Sequence, residues 1–234
     1  MTHIYIIDTE TTDAEKEAEV IELAFAGFSS LGTALLPLTD SHISCERFWP
    51  TRPILFGAVA THHILPEELV DCRPSAQAAL PLSCEYVIGH KVDFDWERLG
   101  SDLSIKRICT LAMARDLYPG LDSHKLSAMM YYIHGMNMQT RERLRNAHSA
   151  YHDIIFCAEL LAHICAVKQI TNIEDLYQYS EEARIPKMMT FGKHKGELIE
   201  DVPYGYIKWY RGQADQDPYL NIAFDRSLKA KYRN

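Results

Sequence analysis

The clearest pattern along the chain is a series of short apolar runs of strand length. Residues 3–8 (HIYIID) and 85–89 (EYVIG) are compact and rich in β-branched or aromatic side chains, which indicates buried strands. Val20–Phe28 (VIELAFAGF) and Ile43–Trp49 predict two more strands. A fifth strand is predicted to end near Ile108, where the pattern changes to that of a helix.

Helical spacing dominates the chain after these strands. Five prolines between residues 50 and 81 predict a region of short helices, and a longer helix is expected from about Asp93. Further helices are predicted up to Leu117, over residues 124–134, and over residues 151–168. The last of these has one apolar stripe, formed by Ile154, Ile155, Ala158, Leu161 and Ala162. Early strands with helices between and after them favour a layered α/β domain.

The charge distribution suggests a second, smaller part. The net charge is −8, but residues 1–183 carry 14 Lys and Arg against 26 Asp and Glu, whereas residues 184–234 carry 10 against 6. An acidic body with a basic end fits an enzyme whose carboxylates need cations, joined to a segment that meets phosphate. We therefore predict a domain over residues 1–170, a linker helix over 171–186, and a small basic module over 187–234.

Composition narrows the class of protein. Of the 234 residues, 47% are hydrophobic and 24% charged, as in an ordinary globular protein. No apolar run approaches the ~18–20 residues of a membrane helix, and no export signal is recognised at the start, so no membrane partner is expected. Six cysteines without metal-like spacing predict reduced, buried thiols and a cytoplasmic location. The sequence does not indicate an oligomeric state.

Two carboxylates, Asp8 and Glu10, lie at the end of the first predicted strand. Because strand side chains alternate, residues two apart point to the same face of the sheet. Two like charges in one place are costly unless a cation neutralises them, and hard oxygen ligands suit Mg²⁺ or Mn²⁺ better than zinc. Taken alone, the pair is better explained as an ordinary polar strand end.

Two further segments combine a histidine with an acid. Residues 89–95 (GHKVDFD) place Asp95 in the first turn of a helix, where a carboxylate also caps free amides. Residues 148–153 (HSAYHD) open the last long helix of the body. If His148 lies in the loop before that helix, it can fold over the face that Asp153 occupies and activate a water. Taken singly, each acid is better explained as an ordinary early-helix residue.

Together the three segments resemble the exonuclease motifs of the DnaQ-like family, in its histidine-containing DEDD (DEDDh) branch. The shared pattern is D-x-E, then G-H-x-x-x-F-D, then H-x-A-x-x-D, and it covers about residues 3–165. Further matches are the run DTETT from Asp8, Glu22 within VIELA, and the stretch from Pro53 to Ile64. The resemblance implies an RNase H-like α/β fold with a mixed five-stranded sheet flanked by helices.

The resemblance also implies the chemistry. Asp8, Glu10 and Asp153 would hold two Mg²⁺ ions, with Asp95 completing the shell directly or through water and Mn²⁺ able to substitute. His148 would take the proton from the attacking water. The implied activity is that of a 3′→5′ exodeoxyribonuclease, which releases nucleoside 5′-monophosphates from DNA 3′ ends, in DNA repair.

Contacts with the substrate are also predicted from these motifs. The predicted contacts are Thr9, Thr11, His62, His90 and Lys91. Two positions depart from the family pattern, since Asp13 stands where Gly is usual and Lys91 where Asn is usual. Asp13 adds negative charge near the substrate loop, and Lys91 offers a cation to phosphate. Neither departure removes a catalytic group, so they bear on substrate preference.

The C-terminal segment resembles the small module of exonuclease X-like proteins. The matching stretches are residues 190–196 (TFGKHKG), 201–203 (DVP) and 206–210 (YIKWY). Glycines bracket a basic tip that fits a tight hairpin, so Lys193 and Lys195 are predicted to contact DNA. The aromatic residues of the segment either stack on bases or form the core of the module, and Trp209 is assigned to the core.

Two other functions stay open at this stage. The same chemistry acting on RNA differs only in contacts to the ribose 2′-hydroxyl, which the sequence does not report. A non-catalytic nucleic-acid-binding module is the alternative from another class, and it is disfavoured because all four acids and His148 are present. A serine or cysteine hydrolase and a P-loop nucleotide-binding protein lack their motifs in this chain.

Overall fold

The computed structural model describes residues 2–231. Within this range the chain forms six strands and ten α-helices. The strands β1 to β6 are Ile4–Thr11, Val20–Phe28, Ile43–Trp49, Arg73–Pro74, Tyr86–Gly89 and Lys106–Cys109. The helices α1 to α10 are Leu31–Ala34, Phe56–His62, Asp93–Arg98, Thr110–Leu117, Leu126–His134, Met138–Arg143, Ala150–Lys168, Ile173–Ala183, Tyr204–Tyr210 and Pro218–Lys231. Short 3₁₀ helices are formed by Asp40–His42, Pro66–Glu68, Ser75–Gln77, Leu144–Asn146 and Ile199–Asp201.

The strands form one mixed sheet in the order β4-β3-β2-β1-β5-β6. β1 is antiparallel to β2 and parallel to β5, and β6 continues the parallel half. The mixed α/β sheet predicted from the sequence is confirmed, with one more strand than expected. The addition is the two-residue β4, which runs parallel to β3 at the sheet edge. It leaves no periodic signal, and its proline lacks an N–H, which restricts proline to such edges.

The core of the sheet lies around β1, whose residues Ile4, Ile6 and Ile7 are fully buried. α7 packs across β1 and β2. Of the predicted apolar stripe, Ile154, Ala158 and Leu161 are buried, whereas Ile155 and Ala162 are only partly so. The buried face is wider than a single stripe because α4 and α5 pack on the helix as well. By length and composition alone α7 is apolar enough to cross a membrane. Its burial against the sheet instead identifies it as the central helix of a folded core.

The predicted cysteine chemistry is confirmed only in part. All six thiols are free. Cys109, Cys157 and Cys165 are buried as expected, whereas Cys45 is exposed and the other two are partly accessible. Cys45 lies on β3, close to the sheet edge, where alternate side chains face solvent.

Residue contacts divide the chain into two compact units, Met1–Ser180 and Glu181–Asn234. The second unit has a hydrophobic core of its own, formed by Met189, Ile199, Val202, Ile207, Tyr210, Leu220, Ala223 and Phe224. Its basic tip is a loop closed by an antiparallel bridge between Met188 and Leu198, wider than the tight hairpin expected. The assignment of Trp209 to this core is wrong, because its side chain is 56% exposed. Tyr210, the next residue of α9, fills the core instead.

Candidate active site

Three carboxylates converge where β1 meets the start of α7. Asp8 and Glu10 come from β1 and Asp153 from the first turn of α7. One oxygen from each lies within 4.8 Å of the others. The alternation of β1 places the first two on one face, as predicted, and the packing of α7 on β1 supplies the third. This acidic cluster has the oxygen donors that a hard divalent cation prefers.

Burial and mutual repulsion disfavour the ionised forms of these carboxylates when no cation is bound. Burial raises the pKa of Asp8 well above its ordinary range, and the charges of Asp95, Asp153 and Glu10 raise it further. Burial, followed by repulsion from Asp153, raises the pKa of Glu10 to about 9. Burial also raises the pKa of Asp153 to about 6. Each shift reports a carboxylate whose ionised form is disfavoured here, so the residues present fit a bound divalent cation.

A pH-dependent stability follows from these shifts. Acids whose folded-state pKa exceeds the unfolded value of about 4 hold more protons in the folded state than in the unfolded state. In EDTA we therefore expect the free energy of unfolding to fall as the pH rises from about 5 towards the Glu10 pKa of about 9. Urea unfolding at several pH values measures this. Saturating Mg²⁺ should raise stability most at high pH, because its ligands must be deprotonated. A flat profile in EDTA would contradict the assignment.

Asp95 lies beside the cluster, in the first turn of α3. Its Oδ1 accepts hydrogen bonds from the Thr9 backbone N–H at 3.0 Å and from Thr9 Oγ1 at 2.6 Å. Burial raises the pKa of Asp95 to about 7, although the Thr9 hydrogen bonds oppose that shift. Thr9 was predicted to line the nucleotide. The structure places its hydroxyl on Asp95, where it orients that carboxylate.

His148 lies in the loop before α7, two residues ahead of its first residue. Its backbone is left-handed with φ of 66°, and its N–H points at Asp153 Oδ1 from 3.4 Å. The side chain is exposed. The loop position that the sequence required for His148 to share a site with Asp153 is therefore the one observed. A histidine placed this way can reach a water over the carboxylates.

Glu22 is a residue whose role the sequence did not reveal. It faces Glu10 across the β1–β2 pair and is almost fully buried. Its Oε2 accepts a hydrogen bond from the Ala150 N–H at 3.0 Å, and its Oε1 accepts one from Arg47 Nε at 3.0 Å. Glu22 thus caps the start of α7 and fixes the helix that carries Asp153. An acid inside the apolar run VIELA was the available signal.

Two more predicted contacts lie beside the end of β1. Thr11 is buried and donates its hydroxyl to the Asp13 carbonyl at 2.6 Å. His62 ends α2 and accepts a hydrogen bond from the Ile64 N–H at Nδ1, 2.9 Å away. Its Nε2 is buried without a hydrogen-bond partner among the described residues. Burial lowers the pKa of this ring, with the nearby Thr11 backbone opposing.

The two remaining predicted contacts of the body behave differently. His90 uses both ring nitrogens inside the protein, Nδ1 with Thr110 Oγ1 at 3.0 Å and Nε2 with the His124 carbonyl at 2.8 Å. Burial lowers its pKa to about 4. Neither nitrogen is left for a nucleotide, so His90 fastens β5 to its surroundings. Lys91 is exposed, with its ammonium 5.1 Å from the centre of the Phe94 ring.

At position 13, where the family pattern has Gly, the Asp carboxylate is held by groups close by. One of its oxygens accepts the Glu15 N–H at 2.7 Å. The other accepts the Thr12 hydroxyl at 3.2 Å and lies 3.9 Å from Arg52 Nη2. Asp13 therefore stabilises its own loop.

The predicted DNA contacts Lys193 and Lys195 belong to the second unit, where both side chains are exposed.

Comparisons with known proteins extend over the whole chain. It is 28% identical to exodeoxyribonuclease 10 of Escherichia coli (strain K12) over 230 residues, 96% of this chain and 98% of that protein. It is 26% identical to the DNA polymerase III subunit epsilon of Treponema pallidum (strain Nichols) over 172 residues, 68% of this chain and 74% of that protein. No protein-family model matches.

Solved structures confirm the fold. Exonuclease X in complex with 5′ overhanging duplex DNA aligns with a TM-score of 0.55 at 24% identity, over 76% of this chain and 99% of that chain. Escherichia coli exonuclease I in complex with a dA16 oligonucleotide aligns with a TM-score of 0.54 at 14% identity, over 81% of this chain and 46% of that one. The RNase H-like architecture predicted from the motifs is therefore the architecture of this chain.

Proposed function

The chain is a homologue of the DnaQ-like exonucleases, and we propose that it is a metal-dependent 3′→5′ exodeoxyribonuclease. It would release nucleoside 5′-monophosphates from DNA ends, in DNA repair. The observation that carries the proposal is the acidic cluster of Asp8, Glu10 and Asp153, whose oxygens lie within 4.8 Å of one another. The names of the relatives support DNA as the polymer. Six free thiols fit a reducing cytoplasm.

The carboxylates are the proposed metal ligands. Asp8, Glu10 and Asp153 would hold two divalent ions, Mg²⁺ in the cell and Mn²⁺ as a substitute, with Asp95 completing the shell directly or through water. When bound, the ions lower the pKa of the attacking water and stabilise the extra charge on the scissile phosphate. Thr9 keeps Asp95 turned toward this site through two hydrogen bonds, and Glu22 keeps α7 in place.

His148 is the proposed general base. Its ring is exposed, and its backbone N–H is directed at Asp153 of the cluster. That arrangement leaves the imidazole able to swing over the carboxylates, take the proton of the attacking water and release it to solvent. A nitrogen of the ring accepts the proton from the water, so that nitrogen must carry no proton at the start of each turnover.

The terminal nucleotide would lie against the end of β1 and α2. His62 is buried at the end of α2, and its ring lies against the backbone of Thr11. A hydroxyl or phosphate oxygen of the terminal nucleotide would lie against this corner, beside Thr11 and His62. Lys91, exposed after β5, adds a cation near the phosphates.

The test is release of mononucleotides from DNA and RNA oligonucleotides of the same sequence, labelled at either end. With Mg²⁺ or Mn²⁺ we expect the 5′-labelled DNA strand to shorten one nucleotide at a time, and EDTA to stop it. The DNA-to-RNA rate ratio identifies the polymer, because only RNA offers a 2′-hydroxyl. Shortening from the 5′ end, or no degradation with any metal, would overturn the proposal.

A further inference from the structure

The second unit displays a short series of contacting rings that runs from its core to the surface, with Tyr206 packed against the core and Trp209 at the exposed end. Trp209 is 56% exposed and its ring lies 5.1 Å from that of Tyr206. Tyr206 in turn meets the edge of the His194 ring at 4.6 Å. Ile207 and Tyr210 of α9 are buried in the core of the unit. The exposed Trp209 ring can therefore contact a binding partner.

The basic tip is fastened to this series of rings. His194 is buried at the centre of the tip, and its Nδ1 pairs with Glu197 Oε2 at 2.8 Å. Gly192 has φ of +69°, and a Cβ there would lie 2.5 Å from the Tyr206 hydroxyl oxygen. Glycine thus permits both the turn and the close approach of Tyr206. The tip and α9 form one face because His194 and Gly192 both rest on Tyr206.

Three lysines are next to residues of this face in the sequence. Lys193 and Lys195 stand on either side of His194, and Lys208 precedes Trp209 on α9; all three are exposed. No ion pair of theirs occurs within residues 2–231, whereas Arg211 and Arg226 of the same unit are paired with Asp225 and Glu182. Unpaired cations keep their charge available to an anionic partner.

Exposed aromatic rings between unpaired cations are the chemistry of single-stranded nucleic-acid binding, in which bases stack on the rings and phosphates meet the cations. We propose that the face formed by Trp209, Tyr206, Lys193, Lys195 and Lys208 binds single-stranded DNA. The choice of DNA rests on the proposed function; the residues of this face belong to the second unit, whereas those of the acidic cluster belong to the first. Trp209 stacks on a base, and the lysines follow the backbone.

The test is binding of a labelled oligothymidylate to the full chain in EDTA, by fluorescence anisotropy. Trp209→Ala should weaken binding roughly tenfold, because it removes one stacking platform. Trp209→Phe should restore most of the affinity, because Phe keeps an aromatic ring on which a base can stack. Changing Lys193 and Lys195 to Gln should reduce the slope of log affinity against log salt by about 0.7 for each lysine.

Matched controls are Ile222→Ala and Lys229→Gln, exposed residues of α10 in the same unit. Both should bind as the parent does, and thermal melting verifies folding. Equal affinity of Trp209→Ala and the parent, or a Trp209→Phe variant that binds as weakly as Trp209→Ala, would overturn the inference. A duplex arm that binds as tightly as the single strand and is equally sensitive to Trp209→Ala would also overturn it. Nucleotide release with Mg²⁺ is scored separately, so either proposal can fail alone.

Discussion

Replacing Asp8 with Asn is expected to reduce nucleotide release by about a thousandfold or more. Asn keeps the size of the side chain but removes its charge. In the parent, one carboxylate oxygen of Asp8 lies within 4.8 Å of an oxygen of Glu10 and of Asp153. A neutral amide oxygen holds a divalent cation far more weakly than a carboxylate does. The measurement is single-turnover release from a 5′-labelled DNA strand in Mg²⁺.

The same variant has an opposite effect on stability without metal. Burial and like charges raise the pKa of Asp8, so its ionised form destabilises the folded state near neutral pH. In EDTA the Asp8→Asn variant should therefore melt at a higher temperature than the parent, while its gain in stability from Mg²⁺ shrinks. Asp71→Asn, at an exposed position, is the matched control and should change neither property. Wild-type activity in Asp8→Asn would refute the metal-ligand assignment.

Replacing His148 with Asn should lower the turnover number by about 10²–10⁴-fold, the usual contribution of a general base. Asn tolerates the left-handed backbone, with φ of 66°, that His148 adopts. The backbone N–H directed at Asp153 is thereby retained, so the loss is attributable to the ring. Affinity for DNA in EDTA should change little compared with the turnover number.

Chemical rescue sharpens this second prediction. His148→Gly keeps the left-handed backbone and removes the exposed ring, so added imidazole should restore part of the rate. The exposed His3 offers a matched control as His3→Asn, which should retain full activity. Turnover by His148→Asn within a few-fold of the parent would show that another group accepts the proton.

Much of the body could be predicted because its signals are local. β2 and β3 begin and end at the predicted residues, and α7 starts one residue early. β1 extends beyond the prediction to Thr11, since pairing with β2 carries it through the polar residues that ended the apolar run. β4 was missed because two residues joined to a distant strand have no period of their own.

Other roles depended on contacts that no short segment contains. Glu22 reaches the first residue of α7 from β2, a pairing across more than a hundred positions. His90, a motif residue that reads as a substrate contact, is held on both nitrogens by Thr110 and His124. Trp209 and Tyr210 are neighbours in one helix, and only the packing of α10 and the tip decides which of them enters the core.

The sequence by itself determined the acids, their order and the pairing of Asp8 with Glu10, because alternation along a strand is a property of the backbone. It also determined that His148 had to precede the helix of Asp153, from the turn per residue of a helix. The tertiary structure alone decided that the β1 pair and Asp153 meet within 4.8 Å. It also decided that Thr9 serves Asp95 and that Trp209 faces solvent. Distances between segments arise from packing, and packing depends on the whole chain at once.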